Sequence, residues 1–201
     1  MKPLKDLWET ANELINIPLV NKAFTFASAA HGAVGQKRKY SGAPYIVHPV
    51  EVMVLVSGVE DHTKEMLAAA LLHDVVEDTE IDQELIDGSF GTTVGALVDG
   101  LTDKSRPEDG NRAARKKIDL ENLAKQPAAV QTIKCADLIA NTKDIIYADE
   151  NFAKVYMKEK RALLEALTKA DRKIWSVAWK NVQDWEHSQV QQTLGRKEGK
   201  S

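Results

Sequence analysis

Along most of this chain apolar residues recur every three or four positions, and no segment sustains a period-two alternation. That spacing turns one face of a helix into a core and predicts helix almost throughout. Helices are expected over 3–15 and 19–30, and then from Pro49, which suits a first turn, to about Ser57. Thr63 reads as an N-cap for a helix running on to Asp78. A short helix is expected over 81–89, and another from Thr92 or Thr93 to Leu101. Asn111 caps a helix to Leu123, Pro127 opens one to about Ile146, and 151–170 and 171–186 form the last two. Residues 32–44 and 102–110, rich in Gly, Pro and charge, read as loops, the second of them flexible. The polar run from Gln189 to Ser201 has no core pattern and is expected to fray. The sum is an all-α bundle of about nine or ten helices over 1–188, with a short β-hairpin near 36–47 as the one place for strands.

The segment 70–79 breaks the ordinary amphipathic rule. His73, Asp74, Glu77 and Asp78 stand within six positions of a stretch otherwise made of Ala, Leu and Val. On a continuous helix these four side chains fall within roughly 140° of arc, with Ala68, Ala69, Leu71, Leu72, Val75 and Val76 opposite them. Charge set this close to a core needs a cation, a substrate or solvent.

Composition narrows the setting. With 201 residues, 43% hydrophobic and 28% charged, the chain suits one well-cored globular domain. A net charge of −3 argues against bulk electrostatic binding of nucleic acid. No apolar run is long enough for a membrane span, and the first residues lack a secretory core, so a cytoplasmic location is expected. One cysteine, Cys135, cannot form an internal disulfide and reads as a small buried residue. Trp175, Trp179 and Trp185 read as core or as a homodimer surface.

Two further candidates join the charged segment. His48 precedes Pro49 at a helix start, and Asp137 is a polar point in the apolar helical stretch 133–138. His48, His73, Asp74 and Asp137 form a mixed nitrogen and oxygen set suited to Mn²⁺, and acceptable to Fe²⁺, Co²⁺ or Zn²⁺. Each also has a plainer reading: a packing histidine, a solvated helix face, a surface acid. Lys37, Arg38, Lys39, Arg112, Arg115, Lys116, Lys134 and Lys143 supply cations around an anionic substrate in a net acidic chain.

Three ordered blocks make the pattern specific: 38–49 (RKYSGAPYIVHP), 69–79 (AALLHDVVEDT), and Lys134-Cys135-Ala136-Asp137 with Asn141. Over about 27–170 the chain resembles the HD-type hydrolase domain of the RelA/SpoT family, in its stand-alone small alarmone hydrolase form. The resemblance implies an HD-domain helical bundle with His48, His73, Asp74 and Asp137 as Mn²⁺ ligands. Glu77 and Asp78 then correspond to the acidic pair that orients and activates water. Arg38 corresponds to a residue packed on the nucleobase, Lys39 lies near the phosphates, and Asn141 contacts the ribose. Arg115, Lys116, Lys143 and Tyr156 complete the substrate-binding candidates, with core packing the plainer role for Tyr156. The implied reaction removes pyrophosphate from the 3′ position of (p)ppGpp, and no synthetase region follows in this sequence. A homodimer and a functional pairing with an alarmone synthetase are further expectations.

The chain departs from the family pattern at two places. Ala43 stands where an acidic residue usually precedes Pro-Tyr, and Leu138-Ile139-Ala140 replaces a common Arg-Leu-His before Asn141. The second departure removes a charge and a histidine near the nucleotide, which opens the adenine alarmones (p)ppApp as substrates. Another HD nucleotidase or NADPH 2′-phosphatase, and a non-catalytic nucleotide-sensing or partner-binding module, are the competing functions.

Overall fold

A computed structural model describes the backbone of residues 4–198 and the side chains of residues 7–191. Its helices are α1 (Leu4–Ile15), α2 (Pro18–Ala33), α3 (Val47–Ser57), α4 (Lys64–Leu72), α5 (Val75–Asp78) and α6 (Gln83–Phe90). They continue with α7 (Thr92–Leu101), α8 (Arg112–Lys125), α9 (Ala128–Ala148), α10 (Glu150–Ala166) and α11 (Arg172–Glu198), plus one 3₁₀ turn at Pro107–Asp109. Helix starts follow side-chain chemistry. Thr63 accepts from the Met66 amide at 3.2 Å and Asn111 from the Ala114 amide at 3.1 Å, as their residue types predict. Asp82 and Asp149 cap α6 and α10 in the same way.

One apolar cluster runs from Ala11 to Val182, with α4 at its centre against α2, α3, α7 and α9. Ala68, Ala69 and Ala70 are fully buried, and their small side chains let these neighbours approach from every side. Trp175, Trp179 and Trp185, partly buried, pack on the edge of this cluster, and the Trp175 indole donates to the Leu164 carbonyl at 2.8 Å.

Four expectations are corrected. The helix from Thr63 to Asp78 is interrupted at His73 and Asp74, so the two-faced helix does not exist as one rod. Instead α4 is buried on all sides, and the charged residues lie at and beyond its end. No Gly or Pro marks the break; Asp74 opens the turn with ψ near −3°, and its carboxylate accepts from the Tyr45 hydroxyl at 2.6 Å. The hairpin near 36–47 shrinks to a single antiparallel bridge between Lys37 and Pro44. Pro44 has no N–H to extend a ladder, and Gly42, at φ +69°, turns the loop. Ala43 contributes a backbone carbonyl there, accepting from the Arg38 amide at 2.9 Å, so closure makes no use of its side chain.

The stretch 102–110 is anchored rather than loose. Asp119, buried on α8, accepts from the Lys104 and Ser105 amides at 3.0 and 2.9 Å and from the Ser105 hydroxyl at 3.0 Å. Those donors and Lys116 outweigh burial and hold the Asp119 carboxyl below its usual range. Finally, α11 runs to Glu198, past its expected end at Glu186 and into the polar tail. Gln, Leu, Arg, Lys and Glu are strong helix formers and extend the rod beyond the core-facing pattern. Residues 199–201 of that tail lie outside the described residues, as does Pro3 at the expected start of the first helix.

Candidate metal centre and its cavity

Three segments deliver the four candidate ligands to one corner. His48 enters from the first turn of α3, His73 and Asp74 from the end of α4, and Asp137 from the middle of α9. One ligand atom each from His48, His73 and Asp74 lies within 4.8 Å of the others. Asp137 adds a carboxylate oxygen 3.2 Å from His48 Nε2 and 3.8 Å from His73 Nε2. His48 and His73 are almost wholly buried, and the Nε2 of each meets only carboxylate oxygens, Asp74 at 3.0 Å from His73 and Asp137 at 3.2 Å from His48, with no well-formed hydrogen bond. His73 Nδ1 donates to the Ala70 carbonyl at 2.9 Å, which leaves Nε2 as the lone-pair nitrogen of the neutral ring. Buried imidazole nitrogens without partners are costly unless something takes the lone pair. A divalent cation fits that requirement, with a second-shell carbonyl already orienting one ring.

The charges agree with a cation-seeking corner. Burial opposes charge on His73, but Asp74 and Asp137 outweigh it and raise its proton affinity well above the usual imidazole range. Burial likewise opposes ionisation of Asp74, yet His73 and His48 hold its carboxyl well below normal. Asp137 is lowered too, against burial, by Lys134 at 2.8 Å and by the two imidazoles. These anions draw positive charge, and a proton on His73 Nε2 competes with a metal for it.

The acidic pair lies beyond the turn, on α5. Glu77 is open to solvent at its edge, yet dense protein surrounds it. Burial pushes its carboxyl up to about 7; Asp103 adds to this, while Lys134 and the Asp103 amide, donating at 2.6 Å, oppose it. Asp78 accepts from the Gln36 amide at 2.8 Å. Thus Glu77 and Asp78 are separated from the ligands by a turn and held by different partners.

A cavity of about 690 Å³ adjoins the corner between α8, α9 and α10. Asp137, Asn141, Lys134 and Lys116 stand on its wall toward the ligands, and Leu120, Leu123, Phe152 and Leu163 give it an apolar interior. Tyr156 lines it and donates weakly to the Leu138 carbonyl at 3.4 Å, so it is at once packing and wall. Leu138, Ile139 and Ala140 are buried, so the departure from Arg-Leu-His replaces polar chemistry with core. Arg38 donates to Asn141 Oδ1 at 3.1 Å and to Asp144 at 2.8 Å, and Asn141 donates to Asp137 at 2.6 Å. This chain ties the Arg38 loop to the ligand corner. Lys39 lies 5.7 Å from the Phe152 ring, at the cavity rim.

Other candidates stand apart. Lys143 is engaged by Glu51 of α3 rather than lining the cavity, and Arg115 is not on its wall. Lys116 lines the wall but is paired with Asp103 at 2.7 Å.

Sequence reasoning missed Tyr45, Gln36, Asp103 and Lys160. Tyr45 lies within the 38–49 block and Gln36 just before it, so both were legible by position; Lys160 carried no signal. It is buried on α10, donating to Thr142 Oγ1 at 2.6 Å and the Leu138 carbonyl at 3.3 Å, and burial lowers its proton affinity to about 7. Cys135 is inert, its thiol pushed up to about 12 by burial.

Residues 23–173 match the HD domain family. A guanosine-3′,5′-bis(diphosphate) 3′-pyrophosphohydrolase of Aquifex aeolicus is 33% identical over 168 residues, 83% of this chain and 23% of its own. One of Vibrio cholerae is 36% identical over 150 residues, 71% of this chain and 20% of its own. A Brucella ovis protein named GTP pyrophosphokinase rsh is 36% identical over 138 residues, 65% of this chain and 17% of its own. The chain therefore spans only 17% to 23% of the length of these relatives. Among solved structures, one described as a metazoan ortholog of SpoT that hydrolyses ppGpp is similar at TM-score 0.74 and 26% identity, covering 83% of this chain and 94% of that one.

Proposed function

The chain belongs to the HD-domain family, and from that premise we propose that it is a metal-dependent phosphohydrolase acting on alarmone nucleotides. It removes the 3′-pyrophosphate of (p)ppGpp, giving GDP or GTP, or acts equivalently on (p)ppApp. The observation that carries this reading is the pair of buried Nε2 atoms facing two ionised carboxylates, next to an acidic pair and a cavity of nucleotide size. The hydrolase name and description of its relatives and structural neighbour support the substrate class.

His48, His73, Asp74 and Asp137 would hold the ion, and their mixed nitrogen and oxygen set favours Mn²⁺. Bound there, it supplies Lewis-acid polarisation of a phosphate oxygen and acidifies a water. Glu77 orients the attacking water and takes its proton; a proton affinity near neutrality suits that exchange. Asp78, the second acid of the pair, helps orient that water. Lys134 holds Asp137 ionised. Arg38 and Asn141 bind the nucleoside, Lys39 lies near the phosphates, and Lys116 and Tyr156 line the slot. This reading places the protein in the cytoplasm, and no helix among the described residues is long and apolar enough to cross a membrane.

A panel of ppGpp, pppGpp, ppApp, pppApp and NADPH with Mn²⁺, resolved by product, tests the proposal. Pyrophosphate release is expected from at least one 3′-pyrophosphorylated nucleotide. Release of orthophosphate alone, or turnover of NADPH alone, overturns it.

A further inference from the structure

Gln36 has every polar group of its backbone and side chain engaged, and it touches neither the ligand corner nor the cavity. Its amide N–H donates to the His31 carbonyl at 3.0 Å, and its carbonyl accepts from the Tyr45 amide at 3.3 Å. Gly35, at φ +65°, makes the turn that presents it after α2. Its side chain bridges two groups: Nε2 donates to Asp78 Oδ2 at 2.8 Å, and Oε1 lies 2.6 Å from His31 Nδ1. The amide cannot be reversed, because its oxygen would then face a carboxylate. His31 Nδ1 therefore carries the hydrogen and donates to Gln36. The His31 ring is buried and packs against Tyr45 at 4.7 Å, and the Tyr45 hydroxyl holds Asp74.

We propose that Gln36 is a positioning residue, an amide clamp locked by His31 that fixes the Asp78 carboxylate toward the attacking water. The inference rests on the reading of Asp78 as one of the two acids that handle that water. The physical case is orientation. Asp78 sits in a four-residue helix and is exposed, so nothing in its own element stops its carboxylate from rotating. A neutral amide supplies a directed donor without adding a positive charge. The same cluster carries Tyr45 to Asp74, so the buried His31 ring lies between the residue that holds the metal corner and the one that holds Asp78.

Two variants test it in the full chain with Mn²⁺. Gln36→Met keeps length and removes both hydrogen bonds. It is expected to lower kcat about 10- to 100-fold, with KM and Mn²⁺ affinity unchanged. Gln36→Glu gives a pH signature. When protonated, the new carboxyl offers the same carbonyl and donor as the amide; when ionised, it repels Asp78. Its kcat relative to wild type should therefore rise as the pH falls. Wild-type kcat in Gln36→Met, a loss confined to KM, a parallel loss of bound Mn²⁺, or a flat Gln36→Glu ratio each overturns the inference. A crystal structure of Gln36→Met gives a readout independent of substrate: Asp78 should be rotated or disordered, and an unmoved carboxylate overturns the clamp. If the wild-type protein turns over no alarmone, the proposed function fails while this structural readout still judges Gln36.

Discussion

The ligand corner and the adjoining cavity share Asp137, Asn141 and Lys134, but they are built in opposite ways. The corner concentrates charge: two imidazoles and two carboxylates from three helices, with His73, Asp74 and Asp137 each perturbed by their neighbours. The cavity disperses its charge. Lys116 is paired with Asp103, Arg112 with Glu159, and the interior is mostly Leu, Phe and Tyr. Its one buried cation, Lys160, has neutral oxygens as hydrogen-bond partners. The corner is therefore poised for a cation and the cavity for a neutral, planar group. Charge clustering reflects chemistry, and charge pairing along an apolar slot reflects binding.

The largest effect should come from the corner. His73→Ala removes a lone pair that nothing else in the corner replaces. It should abolish stoichiometric Mn²⁺ binding, read by metal analysis after gel filtration, and hydrolysis with it. Retention of one tightly bound ion would show that the corner is not the metal site.

Glu77→Ala separates the acids from the ligands. Bound Mn²⁺ should be unchanged while kcat falls about 10²- to 10⁴-fold. In the wild-type protein kcat should rise with pH as Glu77 loses its proton, around 7 and lower once a cation is bound nearby. The same rise should vanish in Glu77→Gln. Near-normal turnover in Glu77→Ala would remove the acidic pair from the reaction.

The smallest effect belongs to the cavity. Lowering the Lys160 proton affinity from 10.5 to about 7 costs on the order of 4 kcal/mol at neutral pH. The two hydrogen bonds lost on substitution offset roughly 2 kcal/mol of that. Lys160→Met should therefore raise the unfolding free energy by about 2 kcal/mol at pH 7, by urea denaturation. Because the folded state binds this proton less tightly than the unfolded state, wild-type stability rises with pH between about 7 and 10.5. The gain from the substitution should shrink over that range. Bound Mn²⁺ should not change; if it falls, the corner and the cavity are one cooperative unit.

Much of this was legible before any coordinates. Helix periodicity and the Thr63 and Asn111 caps placed most elements, because capping is local chemistry between residues three apart. His48, His73, Asp74 and Asp137 were named from residue type and order, and the fold brings them together. The break after Leu72 was not legible, since no Gly or Pro marks it and its causes include a tyrosine 29 residues away. Nor was the anchoring of 102–110, which depends on a buried Asp119 that reads as an ordinary surface acid. Helix continued past Gln189 because propensity acts where core patterning is absent.

What the sequence determined by itself was the helical architecture and the kinds of groups available for chemistry, because periodicity, capping and residue type are local properties. Only the tertiary structure decided how those groups are held. Gln36 between His31 and Asp78, Tyr45 on Asp74, Arg38 on Asn141, and Lys160 beneath Leu138 are contacts between segments distant in the chain or turned by a loop. Their strength comes from burial and from the orientation of one donor toward one acceptor, and neither exists until the helices pack.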